Sequence, residues 1–295
     1  MIAAGWYVLG APWDCSGSRR GEEAAPRALR DAGLSTLVGL DLGDTATMIG
    51  SAVRDEPTGV LALADTVRAA HALAEVLGGA LSELPRRRPL VVGGDCSILL
   101  GIFPAVRRHI GPAGLWFVDG HPDFLDGLGS DTGETADMDL AVLTGAGAEA
   151  LTTLAGAPPM VSVDDVVLLG HRTSNLDHGA AGELARLPPE LRRLDAGAVA
   201  ADPAAAGRLA EKWLASTAHP VWLHLDLDVL DPETLPAVTY PQPQGLDWDQ
   251  LVSVMQPLAR SPRLIGVSVA DFRPDLDPAG ELATQVVDVL DRILP

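Results

Sequence analysis

Two short acidic clusters carry the residues best suited to chemistry, Asp119-Gly120-His121-Pro122-Asp123 and Asp226-Leu227-Asp228. Each follows an apolar run that reads as a buried strand, Leu115–Val118 for the first and Val221–Leu223 for the second. Alternate residues of an extended chain point to the same side. Asp119, His121 and Asp123 are therefore expected to converge, and so are Asp226 and Asp228. Four carboxylates in one place repel each other unless cations neutralise them. Two divalent metals balance four carboxylates, so the pattern predicts a binuclear metal site, and such a site points to hydrolysis.

Apolar strands alternate with helical stretches along the whole chain. The strands expected are Trp6–Leu9, Leu90–Val92, Leu115–Val118, Val166–Leu169, Val221–Leu227 and Leu264–Val269. The helices expected are Pro26–Ala32, Thr58–Leu81, Ala204–Ser216, Asp247–Leu258 and Glu281–Leu294. With no long linker, repeat or low-complexity tract, this rhythm predicts one α/β domain over residues 1–295, built on a mainly parallel sheet. The notable polar residues follow strands: Gly93-Gly94-Asp95-Cys96-Ser97, Asp119–Asp123, Asp226 with Asp228, and Asp271. Open parallel sheets bind ligands beyond the carboxyl ends of their strands. Four separate segments thus aim polar groups at one edge.

The 295 residues are 47% hydrophobic, enough for a large core, and the formal net charge is −19. That charge argues against nucleic acid or an anionic membrane as a partner and suits metal cations and cationic small molecules. Two distant cysteines, Cys15 and Cys96, imply no disulfide framework. The first ten residues lack a basic leader and read as a first strand, and no apolar run reaches spanning length, so a cytoplasmic protein is expected. Arg86-Arg87-Arg88 reads as a solvated turn. His71, His109, His178 and His219 read as surface residues. His224 shares strand parity with Asp226, and is either a hydrogen-bonded core residue or a partner to the metal ligands.

Three segments in order resemble the ureohydrolase family of arginases, agmatinases and related guanidino and formimino hydrolases. They are Gly93-Gly94-Asp95-Cys96-Ser97, Asp119-Gly120-His121-Pro122-Asp123 and Asp226-Leu227-Asp228-Val229-Leu230-Asp231-Pro232. Leu9–Cys15, Gly21, Pro26–Arg30 and Asp41–Asp44 add to the likeness, which runs from about Gly5 to the last helix. The resemblance implies a three-layer αβα fold, doubly wound around a mostly parallel sheet of about eight strands. It also implies two metals, usually manganese, bridged by a hydroxide that attacks a guanidinium carbon to give urea and an amine. By the same resemblance Asp119 and Asp226 bridge the metals, Asp123 completes one and hydrogen-bonds the hydroxide, and His121 and Asp228 complete the other. Relatives commonly form trimers or hexamers, which makes a homo-oligomer the expectation.

The chain departs from the family at the site itself. Cys96 stands where the family has a metal-binding histidine, and a thiolate suits zinc or another soft metal better than manganese. Whether Cys96 binds metal or is a small buried neighbour is left open by its identity alone. Asp271 stands where a family glutamate contacts the guanidinium; one methylene less retracts the carboxylate by roughly 1.5 Å. Ala136 takes the place of a histidine proposed to relay protons, with Asp137 beside it. Thr173-Ser174-Asn175 follow Gly170-His171-Arg172 where arginases carry acids for the substrate's amino group. Val238 and Tyr240 replace small residues, and His171 is expected at the pocket mouth.

These departures favour an agmatinase-like or other guanidino hydrolase over an arginase, acting on a small cationic guanidino or amidino compound. Two other readings remain. One is a non-catalytic relative that binds metal, favoured by Cys96, Ala136 and Asp271. The other is a single-zinc, deacetylase-like amidohydrolase, disfavoured by the complete Asp226–Asp228 pair. Metal counting together with turnover separates the three.

Overall fold

Strands that are apolar on both faces can hide them only in a sheet covered by helices on each side. A computed structural model describes residues 5–174, 176, 178–215, 217 and 219–295, and leaves out the side chain of residue 178. Its strands are β1 (Trp6–Ala11), β2 (Asp41–Asp44), β3 (Arg88–Gly93), β4 (Gly114–Val118), β5 (Val166–Leu169), β6 (Arg192–Leu194), β7 (Val221–Asp226) and β8 (Leu264–Ala270). They form one sheet in the order β2-β1-β3-β8-β7-β4-β5-β6. Every pairing is parallel. No apolar run marks β2 or β6, the two edge strands: β2 is exposed throughout and β6 has no buried residue.

Alternation along the strands divides the core in two. Val8, Leu90, Val92, Trp116, Val118, Leu223 and Leu225 pack on one face beneath the helices Ala25–Asp31, Pro203–Leu214, Trp248–Ala259 and Glu281–Ile293. Leu9, Val91, Leu115, Phe117 and Trp222 pack on the other, beneath Leu63–Glu83 and Leu99–His109. The result is the doubly wound three-layer αβα arrangement. No helix among the described residues is long and apolar enough to cross a membrane.

Local chemistry moves some boundaries. The helix expected from Thr58 starts at Leu63. The Asp55 carboxylate accepts the Thr58 amide and hydroxyl, and Gly59 and Ala62 take positive φ, so the chain turns before it coils. Asp247 caps its helix from outside, its carboxylate accepting the Gln250 amide while the Gln250 side chain accepts the Asp247 amide. The expected end of another helix, Ser216, lies outside the described residues.

The winding decides where the site forms. β3 and β4 are consecutive in sequence but separated in the sheet by β8 and β7. The four central strands, β3, β8, β7 and β4, are the four that end in the polar segments. Gly94 fixes two of these ends together. Its carbonyl accepts the Asp271 amide at 2.7 Å. A Cβ at Gly94 would fall 1.5 Å from the carbonyl oxygen of Trp13, which is backbone and cannot swing aside. Gly94→Ala is expected to lower the urea midpoint by the equivalent of at least about 1–3 kcal/mol, with an unchanged denaturant slope. An unchanged midpoint would show that the β1 and β3 ends move apart freely.

Candidate metal centre and its cavity

Turns, more than strand parity, bring the acids together. β4 ends at Val118, so Asp119, His121 and Asp123 all lie beyond it. β7 ends at Asp226, and Asp228 lies in a single 3-10 turn. Asp226 Oδ1 accepts the Asp228 amide at 2.7 Å, and Asp119 Oδ1 accepts the His121 amide at 2.6 Å. Both bonds curl the chain so that residues two apart face one centre. The segments also lock to each other, with the Gly120 amide on Asp228 Oδ1 at 3.0 Å and His121 Nδ1 2.7 Å from Asp228 Oδ2. Asp123 and Asp271 hold φ of 48° and 65°. Such backbone is uncommon for non-glycine residues and marks positions held by their surroundings.

Potential ligand atoms fall into overlapping groups, each within 4.8 Å of one another: Asp119 with His121 and Asp228, Cys96 with Asp119 and His224, Cys96 with Asp123 and Asp139, and Asp226 with Asp228 and Asp271. The Cys96 thiol donates to the Asp226 carboxylate and lies 3.7 Å from Asp119 Oδ2. His224 connects to it from below, with Nε2 3.1 Å from the sulfur and Nδ1 2.7 Å from Ser268 Oγ. Trp222 Nε1 donates to the same Ser268 oxygen at 2.9 Å. An indole nitrogen only donates, and among the described residues His224 Nδ1 is the acceptor in reach of the serine's own proton, so the serine donates to it. The neutral ring then carries its hydrogen on Nε2, aimed at the sulfur. His224 is thus both a bonded core residue and a partner of Cys96.

The electrostatics fit a cation. Burial, aided by neighbouring acids, pushes the carboxyls of Asp119, Asp123, Asp139, Asp226 and Asp271 well above the usual range. Burial likewise raises the Cys96 thiol, with Asp226 and Asp119 adding to the effect. Asp228 is held low despite its burial, because His121 and Arg172 face it. Burial lowers His224 to about 3, which keeps it neutral. Without cations these acids cannot all ionise; divalent ions remove that conflict. The two oxygens of Asp139 accept no hydrogen bond in normal geometry, with only the adjacent Leu140 amide near enough to oppose the upward shift.

A cavity of about 500 Å³ opens over the cluster, walled by acids that include Glu22, Glu134, Asp137 and Glu183. Its guanidinium, Arg20, is engaged by Glu134 through two 2.9 Å bonds and also faces Glu22. Ala136 lines the wall where the relay histidine was missing, and Asp137 Oδ2 is committed to Ser130 and Thr132. His171 departs from expectation. It is buried at the end of β5 and does not line the cavity, because its backbone carbonyl accepts the Ala196 amide and draws it toward the β6 side. Arg172 runs inward instead, its guanidinium donating to the carbonyls of Asp228, Leu230 and Gln242.

Several of these residues carried no signal in the sequence. Asp139 begins the helix Asp139–Leu143 and Glu183 lies in the helix His178–Leu184, where an acid reads as ordinary surface or helix-start chemistry. Arg20, Glu22 and Glu134 reach the cavity only through the fold.

A parallel sheet carrying a buried acidic centre at its carboxyl edge is the arrangement of an α/β protein built to hold cations. The sequence model of the Arginase family matches residues 4–294. Arginase of Bacillus caldovelox is 31% identical over 96% of this chain and 95% of its own. Its native crystal structure superposes with a TM-score of 0.86, at 28% identity and 98% coverage of both chains. N(omega)-hydroxy-L-arginine amidinohydrolase of Streptomyces lavendulae is 34% identical over 70% of this chain and 68% of its own. The chain belongs to the arginase family. It is a ureohydrolase, a metal-dependent hydrolase that breaks a guanidino C–N bond and releases urea.

The buried acids predict an unusual pH dependence for the metal-free protein. Burial raises Glu22 and Glu183 to about 7, and Asp95 and Asp137 to about 6. A carboxyl raised in the folded state binds its proton more tightly there than when unfolded. Its stabilisation is complete below the unfolded value of about 4 and is lost as pH climbs through the folded value. The melting temperature in chelator should therefore fall from about pH 5 to about pH 8. A flat or rising profile by circular dichroism would show that these acids are not held protonated.

Proposed function

We propose that Asp119, His121, Asp123, Asp226 and Asp228, together with Cys96, hold two divalent cations, and that Asp271 orients a small cationic guanidino substrate over them. The observation that carries this reading is the burial of these carboxyls at one sheet edge, in reach of one another and with too few cationic partners. Oxygen and imidazole donors suit manganese, whereas the Cys96 sulfur suits zinc or a similar metal. When bound, such ions supply positive charge that polarises the scissile group and acidifies water. Asp123 stands at the cavity side of the cluster, where its carboxylate can accept a proton from the attacking water. Asp271 accepts the Thr239 amide at 3.1 and 3.2 Å and presents its carboxylate beside Asp226 and Asp228. The proposal extends to a cytoplasmic enzyme that assembles as a homo-oligomer.

The substrate proposed is a guanidino compound other than arginine, agmatine-like compounds among them. Thr173 and Ser174 bond to Asp195 and Gln244 and neither lines the cavity, so they supply no acid to an amino-acid head group. Glu183 and Asp137 line the same cavity with only part of their carboxyl oxygens bonded, whereas Glu134 is already paired with Arg20. The names of the similar proteins point to arginine or its hydroxylated form, so both belong in the deciding panel. Urea release should be measured across guanidino compounds after loading with manganese, zinc, cobalt or nickel. Two bound metals without urea from any compound would favour the non-catalytic reading. One zinc with amide cleavage would favour the amidohydrolase.

Asp271→Asn keeps size and removes charge. It is expected to lower kcat/KM about tenfold or more, roughly 1.4 kcal/mol, with metal content unchanged. Loss of metal in this variant would move Asp271 among the ligands, which its closeness to Asp226 and Asp228 makes the sharp alternative. Cys96→His should raise manganese occupancy by elemental analysis. Equal occupancy in the two proteins would remove position 96 from control of the metal.

A further inference from the structure

We propose that Cys96, Asp123 and Asp139 form a thiolate–carboxylate subsite for one zinc-class cation, with Asp139 a metal ligand in its own right. This rests on the two-metal reading above and assigns to it a residue that none of the acidic motifs contains. The Sγ of Cys96 and one oxygen each of Asp123 and Asp139 lie within 4.8 Å of one another. Metal–sulfur bonds of about 2.3 Å and metal–oxygen bonds of about 2.0–2.2 Å place neighbouring ligand atoms within that span.

Asp139 itself points to the occupant. It is 0% exposed, and neither of its carboxylate oxygens accepts a hydrogen bond in normal geometry, the adjacent Leu140 amide being too poorly placed to satisfy it. The other acids of the centre are satisfied differently. Asp119, Asp226 and Asp228 each accept a backbone amide from a neighbouring turn. Asp139 accepts none, and an unpartnered buried carboxylate is strongly unfavourable until a proton or a cation meets it. Its position is also fixed. The Ala141 amide donates to the Asp123 carbonyl at 3.2 Å, which fastens the start of the Asp139 helix to the Asp123 loop.

The sulfur is prepared on its far side. The Nε2–H of His224 faces Cys96 at 3.1 Å, and donation to a thiolate stabilises the form that binds metal. His224 is oriented for this by Ser268 and Trp222 and has no nitrogen left to ligate. The two halves of the centre then differ in kind. Asp119, His121 and Asp228 offer oxygen and imidazole. Cys96, Asp123 and Asp139 offer sulfur and two carboxylates, a set that favours zinc or cobalt over manganese.

Cobalt(II) titration of chelator-stripped protein tests this directly. The wild type should take up two equivalents and develop a sulfur-to-cobalt charge-transfer absorption, which Cys96→Ser should lack. Asp139→Asn should bind one equivalent as before and the second at least tenfold more weakly. Its metal-free form should melt higher than the wild type, because an unpartnered acid has gone. Asp139→Ala serves if the asparagine variant does not fold. Equilibrium dialysis against zinc and manganese together should leave one zinc per wild-type chain. Two equivalents bound with unaltered affinity in both Asp139 variants would overturn the assignment of Asp139 while leaving the two-metal reading intact. Two equivalents without the sulfur band would overturn Cys96 as a ligand. A wild type that binds no cobalt would overturn this proposal and the two-metal reading together.

Discussion

Mutual repulsion among buried carboxylates is the constraint around which this chain is organised. Asp119, Asp123, Asp139, Asp226, Asp228 and Asp271 all lie out of water near one sheet edge. Water would disperse their charge, and the core around them cannot. Proteins resolve such a conflict by protonating the acids, pairing them with fixed cations or admitting mobile ones. Here the fixed cations are few: His121 faces Asp228, and Arg172 lies beside it. The rest of the deficit belongs to ions or protons, which ties the stability of the metal-free fold to the chemistry the site performs.

The surrounding structure holds the acids against their own repulsion. Arg172 spends its guanidinium on four backbone carbonyls, those of Gly170, Asp228, Leu230 and Gln242, and so fixes the loop after β7. Gly94 lets the end of β3 approach Trp13 while its carbonyl holds Asp271. Trp222, Ser268 and His224 form a bonded column through β7 and β8 that ends on Cys96. None of these residues needs to touch a substrate. They set the distances at which the acids meet, and rigid support of this kind is what a metal site requires.

The central architecture was legible because it depends on apolar runs. All six strands that such runs mark are present, and the acids that follow four of them do meet. The route differs: alternation suggested shared strand faces, whereas Asx-type turns at Asp119 and Asp226 bend the chain beyond the strand ends. The edges β2 and β6 were illegible, since neither carries an apolar run and neither buries a residue. Asp139 and Glu183 were hidden for another reason. An acid in a helix is ordinary in sequence, and only the packing of Asp139 against Asp123 distinguishes it. His171 shows the converse, a polar residue at a strand end whose backbone bond to Ala196 directs it away from the cavity.

The strand order carries a consequence for synthesis. β3 and β4 leave the ribosome well before β7 and β8, yet in the finished sheet they flank them. Until the last quarter of the chain emerges, β7 and β8 are missing, and β3 and β4 lack the partners that the finished sheet gives them on that side. Unpaired strand edges are ready templates for pairing with other chains. Completing the sheet pairs Leu90 with Val267 and Gly114 with Val221, contacts far apart in sequence, and pairings of that kind form slowly. The same event delivers Asp226, Asp228 and Asp271, so an incomplete nascent chain holds only part of the acidic cluster. The interval of greatest exposure to aggregation therefore ends when the last acids arrive.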